Sequence, residues 1–427
     1  MTSQDAILNL IHELYATLRY KPPPRQWTIL AAFYLLSESS GAKIISLATG
    51  TKCLAAEKLP VEEALHDSHA EVLARRGAVR WSLEEIARMK QGSCESLWID
   101  RDDSEEISFK LRDGVRLGFY VSTVPCGDAS MGLLAATQDE EMAALKSMPS
   151  SLPSSSNSST GASISRGRNN YTLLGVLRTK PARADAPSTA SMSCSDKIAA
   201  WTFLGVQGAL GARFFNRRPL YVDEVLVGVD LPSAIGVEER EELKRMVGVD
   251  CQRALVGRLK VVEGQDLIFI GTLWLNRFSA ACGPYTHHPP TIHLIDTPPF
   301  IHSRSMVRDV GGSCNDSLFW VADSPLAASG PEVIINGYKR GVPPAHRLRE
   351  KSLPSACRKS ILKLYKDTLR LYELPVDDTI SHQDAKLAIQ TYQDAKSHLT
   401  GPEGVFSGWI RGSSISFNRN GESTTGI

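Results

Sequence analysis

The 427-residue sequence predicts an α/β or α+β core, and three observations carry that prediction. Two runs rich in β-branched and aromatic residues, VRLGFYVST at 115–123 and LYVDEVLVGV at 220–229, read as buried strands. Between and before them, the segments 67–90 and IAAWTFLGVQGALGARF (198–214) place apolar residues at helical spacing. The composition, 42% hydrophobic and 22% charged, is that of an ordinary globular chain and excludes a largely disordered or collagen-like one.

Taken in order, the N-terminal MTSQDAILNLIHELYATL predicts an amphipathic helix with Ile7, Ile11, Leu14 and Leu18 on one stripe. Asp5 and Glu13 interrupt it and no basic start precedes it, so it does not read as a secretory signal. No apolar run reaches membrane-spanning length. Residues 27–49 read as helix, turn, then strand, leading into a hairpin-like GTKCL. A long helix is expected from Asp67 to Lys90, with Asp67 or Ser68 as N-cap and His69 and Glu71 in its first turn. The 115–123 strand stops at Pro125, and Cys126 is expected to open a helix. From 138 to 170 the chain is too serine-rich to build a core and reads as a disordered surface insertion. Cys194 sits at another helix start, among N-capping residues. Residues 356–398 read as two helices covering the C-terminal side. The spacing of Gly205, Gly208 and Gly211 suits close helix packing rather than a phosphate loop, and His287 and His288 read as surface residues of a Pro-rich loop.

Lysine and arginine number 48 against 47 acidic residues, so a nucleic-acid partner would have to be met by a local basic patch. The eight cysteines (53, 94, 126, 194, 251, 282, 314 and 357) are dispersed and no secretory signal precedes them. That pattern predicts reduced thiols in the cytoplasm or nucleus, not a disulfide framework or a secreted protein.

Three short motifs carry chemistry: His69-Ala70-Glu71, Pro125-Cys126-Gly127-Asp128-Ala129, and Ser191-Met192-Ser193-Cys194-Ser195-Asp196-Lys197. Each alone has a bland explanation, a solvated helix start or a buried structural cysteine. Together they supply one imidazole, two thiols and a carboxylate, the set a zinc nucleobase deaminase needs. The usual spacing in that class is H-x-E followed by P-C-x-x-C. Here Ala129 occupies the second cysteine position and Cys194 lies 68 residues beyond Cys126, which excludes the ordinary cytidine-deaminase pattern.

In this order the motifs resemble the adenosine-to-inosine editase domain shared by the adenosine deaminases acting on RNA and the eukaryotic tRNA-specific adenosine deaminases, from about Leu18 to Gly412. The resemblance implies one editase domain over 1–427, with a three-layer α-β-α cytidine-deaminase-like core and a helical C-terminal part from about 350. It implies His69, Cys126 and Cys194 as zinc ligands and Glu71 as the proton shuttle, with Asp67, Lys180 and Ser191 supporting them. The zinc would activate water for attack on C6 of adenine, while Glu71 moved the proton to N1 and then to the leaving amine. It also implies a buried inositol hexakisphosphate lined by Arg75, Arg76, Lys197, Lys339, Lys386, Lys396, Tyr392 and Gln393, with Trp201 and Trp409 beside it. Ala200 departs from this pattern, standing where the double-stranded-RNA editors carry an arginine. Arg183 and Asp185 fall in the substrate loop, near where those editors place a base-flipping glutamate.

Three functions compete: deamination of the adenosine 3′ of the anticodon (position 37) in alanine tRNA, editing of double-stranded or messenger RNA, and a catalytically silent RNA- or inositol-phosphate-binding module. The presence of Glu71 and all three ligands disfavours the third. The first is favoured over the second by the compact loop RTKPARADAPSTASMSCSDK and by only 68 residues preceding His69, too few for double-stranded-RNA-binding domains. A monomer without a membrane partner is expected.

Overall fold

The computed structural model describes residues 3–410 apart from 59–61, 93–94, 103–105, 139–163, 168–169, 181–186, 232–234, 261–281, 296–297 and 326–329, and also 415–417 and 423–425. Helix α1 (Ser3–Thr17) precedes strands β1 (Leu30–Ser37), β2 (Gly41–Thr49), β3 (Thr51–Cys53) and β4 (Asp67–His69). Then come the long α2 (Ala70–Gln91), β5 (Val115–Val121), α3 (Met131–Ala136), β6 (Ile164–Arg166) and β7 (Leu177–Thr179). Helices α4 (Cys194–Leu204) and α5 (Gly208–Ala212) lead to β8 (Glu224–Gly228), α6 (Val237–Cys251) and β9 (Thr291–Ile295). Strands β10 (Asp316–Val321), β11 (Glu332–Ile335) and β12 (Tyr338–Lys339) follow, and helices α7 (Arg358–Leu371), α8 (His382–Leu387) and α9 (Gln390–Thr400).

Eight strands form one mixed sheet in the order β9-β8-β5-β1-β2-β10-β11-β12. Its β5, β8 and β9 run parallel, while β1, β2, β10, β11 and β12 pair antiparallel. The apolar run 27–36, expected to start a helix, is strand β1 instead. Ala31, Phe33 and Leu35 face the core shared with α2, and Leu30, Ala32 and Tyr34 face the core shared with α1. A strand buried on both faces loses the alternation that would distinguish it from a buried helix.

Other expectations are refined. In α1 the buried residues are Ile7, Leu8, Ile11 and Tyr15, and Leu18 lies past its end. Helix α2 begins at Ala70, because Asp67–His69 is drawn into a two-stranded ladder with β3. The C-terminal part holds three helices, not two, with α7 packed on α2. Gly205 and Gly208 have φ of 69° and 64° and serve the turn from α4 into α5, while Gly211 packs within α5 against Gln207. His288 pairs with Asp223 and stacks on Tyr221. Within the insertion expected over 138–170, residues 164–166 pair with 177–179; most of that segment lies outside the described residues. The seven described cysteines form no disulfide, and no described helix is long and apolar enough to cross a membrane.

Gly118 lies opposite Tyr34 in the β1–β5 register, and a Cβ there would stand 2.1 Å from the Tyr34 ring. The ring is fully buried and its hydroxyl donates to Glu224 Oε1 at 2.9 Å, so it cannot retreat. Gly118→Ala is therefore expected to cost about 1–3 kcal/mol in chemical denaturation, the range of overpacked cores.

Candidate active site

Three chain segments meet at the N-terminal ends of α2 and α4. The ladder β3–β4 sets Thr51 opposite His69 and Cys53 opposite Asp67, and the Ala70 amide donates to Gly50 O. Gly50, at φ 148°, is packed so tightly that a Cβ would lie 2.0 Å from Ser68 O. His69 thus becomes the N-cap residue of α2, which sends Glu71 into its first turn.

The two cysteine motifs, far apart in sequence, are bonded to one another. Ser195 N donates to Cys126 O at 3.0 Å, and Ser195 Oγ contacts Pro125 O and Cys126 O and accepts from the Ala129 amide. The Cys194 amide approaches Cys126 Sγ at 3.4 Å. Gly127, at φ 109°, leaves no room for a side chain: its Cβ would sit 2.1 Å from Ser193 Oγ. Ser193 caps α4 by accepting from the Asp196 amide, so Cys194 is the first helical residue. Cys126 itself stands in a loop before a short 3₁₀ turn, not at the start of an α-helix.

Asp67 is the electrostatic hub. It is buried, and its Oδ2 accepts from Lys180 Nζ at 2.9 Å, Lys197 Nζ at 2.5 Å and Ser191 Oγ at 2.6 Å. Its Oδ1 contacts His69 Nδ1 at 2.8 Å. Burial would raise the Asp67 carboxyl, but Lys180, Lys197 and His69 together hold it well below the usual range. Lys180 also reaches Cys194 Sγ at 3.2 Å. Burial would neutralise this lysine, yet Asp67 and the cysteines keep it well above its ordinary value. A hydrogen bond from Cys194, with Lys180 and His69 close by, holds the Cys126 thiol well below its ordinary value, while burial pushes Cys194 up.

Glu71 is almost fully buried, and no hydrogen-bond partner reaches its Oε2. Burial first, and the neighbouring Cys126 second, raise its carboxyl above the ordinary value. A carboxyl raised in this way holds a proton more readily than an exposed one, as a general acid–base group requires. Among the described residues, the donors that lie within 4.8 Å of one another are Cys53 Sγ, an Asp67 oxygen and a His69 nitrogen, a trio that shares His69 with the motif residues. Cys53 was not signalled by the three motifs; its place on β3, opposite Asp67, is what brings it here.

One turn further along α2, Arg75 lies near Tyr392 and Arg76 donates to Ala356 O, both toward the C-terminal part. Lys386 is pushed down to about 7 by burial and then by Lys396, Arg358, Arg76 and Arg75. Arg76 is lowered to about 10 by burial and by Arg358 and Arg75. Arg75 lies over the Trp201 ring at 5.6 Å and feels buried Tyr392, while Gln393 Nε2 donates to Lys386 O. These positions come together around one polycationic interior. Lys197, expected among them, is instead bonded to Asp67 and Ser191 on the catalytic side.

Lys339 is placed elsewhere: on the edge strand β12, ion-paired to Glu332 at 2.7 Å. The cation that faces the cluster from this region is Arg358, at the start of α7, together with His382, which lies beside Lys386, Arg76 and Arg358. Trp409 packs beside Phe406, with ring centroids 5.9 Å apart, in the apolar cluster of α4 and α9. Arg183 and Asp185 lie outside the described residues.

The Adenosine-deaminase (editase) domain family matches residues 46–413. The chain is 30% identical to tRNA-specific adenosine deaminase 1 of Schizosaccharomyces pombe over 80% of its own length and 77% of that protein. It is 34% identical to tRNA-specific adenosine deaminase 1 of Saccharomyces cerevisiae over 48% of its length, about half of that relative. It is also 30% identical to the Double-stranded RNA-specific editase Adar of Drosophila melanogaster, over 44% of its length and 27% of that protein.

Asp67→Ala would leave two lysines and an imidazole facing one another in a buried space. The expected loss is about 3–5 kcal/mol in urea denaturation, the scale for removing one partner of a buried ion pair. A loss below about 1 kcal/mol, as at an exposed pair, would contradict the hub.

Proposed function

The chain belongs to the adenosine-deaminase (editase) family, and from that membership we propose that it hydrolyses adenosine to inosine in transfer RNA, at the position 3′ of the anticodon (position 37) of alanine tRNA. The observation that carries the reaction is the buried, unpartnered Glu71 Oε2 beside His69, Cys126 and Cys194. The tRNA substrate rests on the names of the relatives matched over most of the chain. The three-layer α-β-α deaminase arrangement, with its helical C-terminal extension, belongs to the same reading.

The donor set suits zinc: two thiols, one already lowered toward the thiolate, and an imidazole whose orientation a carboxylate fixes. His69, Cys126 and Cys194 would hold the ion, which when bound supplies Lewis-acid activation of water near neutral pH. The residues of the chain do the rest. Glu71 accepts one proton from the attacking water and delivers it to adenine N1, then takes the second from the new C6 hydroxyl and delivers it to the amino group, which leaves as ammonia as the C6–N bond breaks. Asp67 and Lys180 keep the imidazole and the Cys194 sulfur in place. Glu71 and Cys194 are buried, so the target base must leave its stack to reach them.

Inositol hexakisphosphate is the second ligand of this reading. Arg75, Arg76, Arg358, Lys386 and Lys396 press together in an interior where like charges depress one another. A compact polyanion would offset that repulsion.

Glu71→Gln is expected to keep its metal and its RNA affinity while deamination falls by about two to four orders of magnitude. Inosine formation on purified alanine tRNA, compared with a long RNA duplex, separates the readings: the tRNA should be converted and the duplex spared. Duplex conversion alone would favour the editor. The second expectation concerns pH. Lys386 is lowered to about 7 in the folded chain and returns to about 10.4 when unfolded, so the unfolded chain binds more protons between these values. Protein dialysed free of polyanion should therefore gain stability as pH rises from about 7 toward 10. Added inositol hexakisphosphate should raise the denaturation midpoint most at the lower end. An equal rise across the range would remove the polyanion from this cluster.

A further inference from the structure

Beyond the pocket, one surface is charged in a way that neither the catalytic residues nor the polycationic interior uses. Between Lys339 and Lys351 the chain carries five basic residues and one acidic one, in a protein whose charges otherwise nearly balance. Lys339 and Arg340 are spent on Glu332 and Asp316. Glu350 is spent on Lys363. Arg347, Arg349 and Lys351 form no ion pair among the described residues, and Arg349 and Lys351 are exposed.

The segment is held in shape. Pro343 leads into a single 3₁₀ turn at Pro344–His346, and backbone bonds from the Arg347, Arg349 and Ser352 amides continue as successive tight turns. The Arg347 guanidinium lies 4.8 Å over the Tyr338 ring, which positions it without consuming its charge. Leu348 beside it is 63% exposed.

Its position relates it to the catalytic pocket. The Gly337 carbonyl accepts from the Leu65 amide at 2.9 Å, and the Leu54 amide donates to His66 O. At Gly337, φ is 81°, and a Cβ would clash with Leu65 O and Leu54. Arg347, through its contact with Tyr338, is thus tied to a turn that is bonded to the loop feeding β4. Leu65 is four residues from His69, a span of at most roughly 14 Å.

We propose that Arg347, Arg349 and Lys351 form a docking surface for the phosphate backbone of the RNA substrate, gripping nucleotides outside the one that enters the pocket; the inference rests on the RNA-deaminase reading above. A polynucleotide with one base in the pocket carries its neighbouring phosphates across the surrounding surface. The three cations, Arg347 among them held by Tyr338, meet those phosphates with complementary charge and no base selectivity. The basic segment therefore supplies affinity and orientation, while the pocket supplies the chemistry.

The test is the triple variant Arg347→Glu, Arg349→Glu, Lys351→Glu, with the glutamine version as a second variant that avoids new repulsion. Affinity for fluorescently labelled tRNA is read by anisotropy between 50 and 200 mM salt, and a thermal melt checks folding. Affinity is expected to fall by about tenfold or more. The slope of log K against log salt should shrink by roughly two to three, since each phosphate that a side chain neutralises contributes about 0.9. The kcat at saturating tRNA should stay within about twofold, with KM carrying the loss. Unchanged affinity and slope in folded variants would overturn the surface, as would a fall in kcat at saturation. Wild-type protein that binds tRNA without deaminating it would defeat the proposed function alone, since the anisotropy comparison would still decide the surface.

Discussion

Everything chemical in this structure depends on one buried carboxylate. Asp67 joins three segments that the sequence keeps apart: β4 with His69, the strand end carrying Lys180, and the α4 end carrying Ser191, Cys194 and Lys197. Buried Lys180 and half-buried Lys197 would be costly in this interior without it, and it would itself be costly without them. The arrangement fixes the imidazole and one sulfur together. Lys197 also turns toward the catalytic centre from a helix whose Trp201 lies under Arg75, so the centre and the polycationic interior behind it share α2 and α4 as walls.

That geometry explains why a cysteine spacing foreign to ordinary nucleobase deaminases still builds a compact site. The familiar pattern takes both cysteines from one helix turn. Here Ser195 ties the second cysteine motif to the first through three carbonyl contacts, and Gly127 removes the side chain that would keep them apart. A tertiary bond replaces a local spacing. The segment between the motifs is then free to vary in length, because loop closure grows costly only slowly with length.

Much of the site was legible because its chemistry is written in short local words: HAE, PCGDA and SMSCSDK each place a donor at a defined chain turn. The strands at 115–121 and 224–228 were legible for the same reason, being β-branched runs with clear stops. Residues 30–37 were not, since burial on both faces erases the period that separates strand from helix. Arg358 and His382 were missed because membership of the polycationic interior is decided by how α7 and α8 pack on α2, not by a motif. Lys339 was expected in the cluster, but an edge-strand partner, Glu332, takes it out. Cys53 became visible only once β3 paired with β4.

The central claim is that His69, Cys126 and Cys194, with Glu71 beside them, form one metal-dependent hydrolytic centre. The alternative donor trio of Cys53, Asp67 and His69 shares a residue with it and makes the claim sharply testable. Zinc-edge X-ray absorption on the purified wild type and on Cys53→Ala measures the donors directly. The account predicts two sulfur donors and an imidazole in both proteins, with distances near those of zinc thiolates, about 2.3 Å. A spectrum with one sulfur that disappears in Cys53→Ala would place the metal in the other trio and contradict the account.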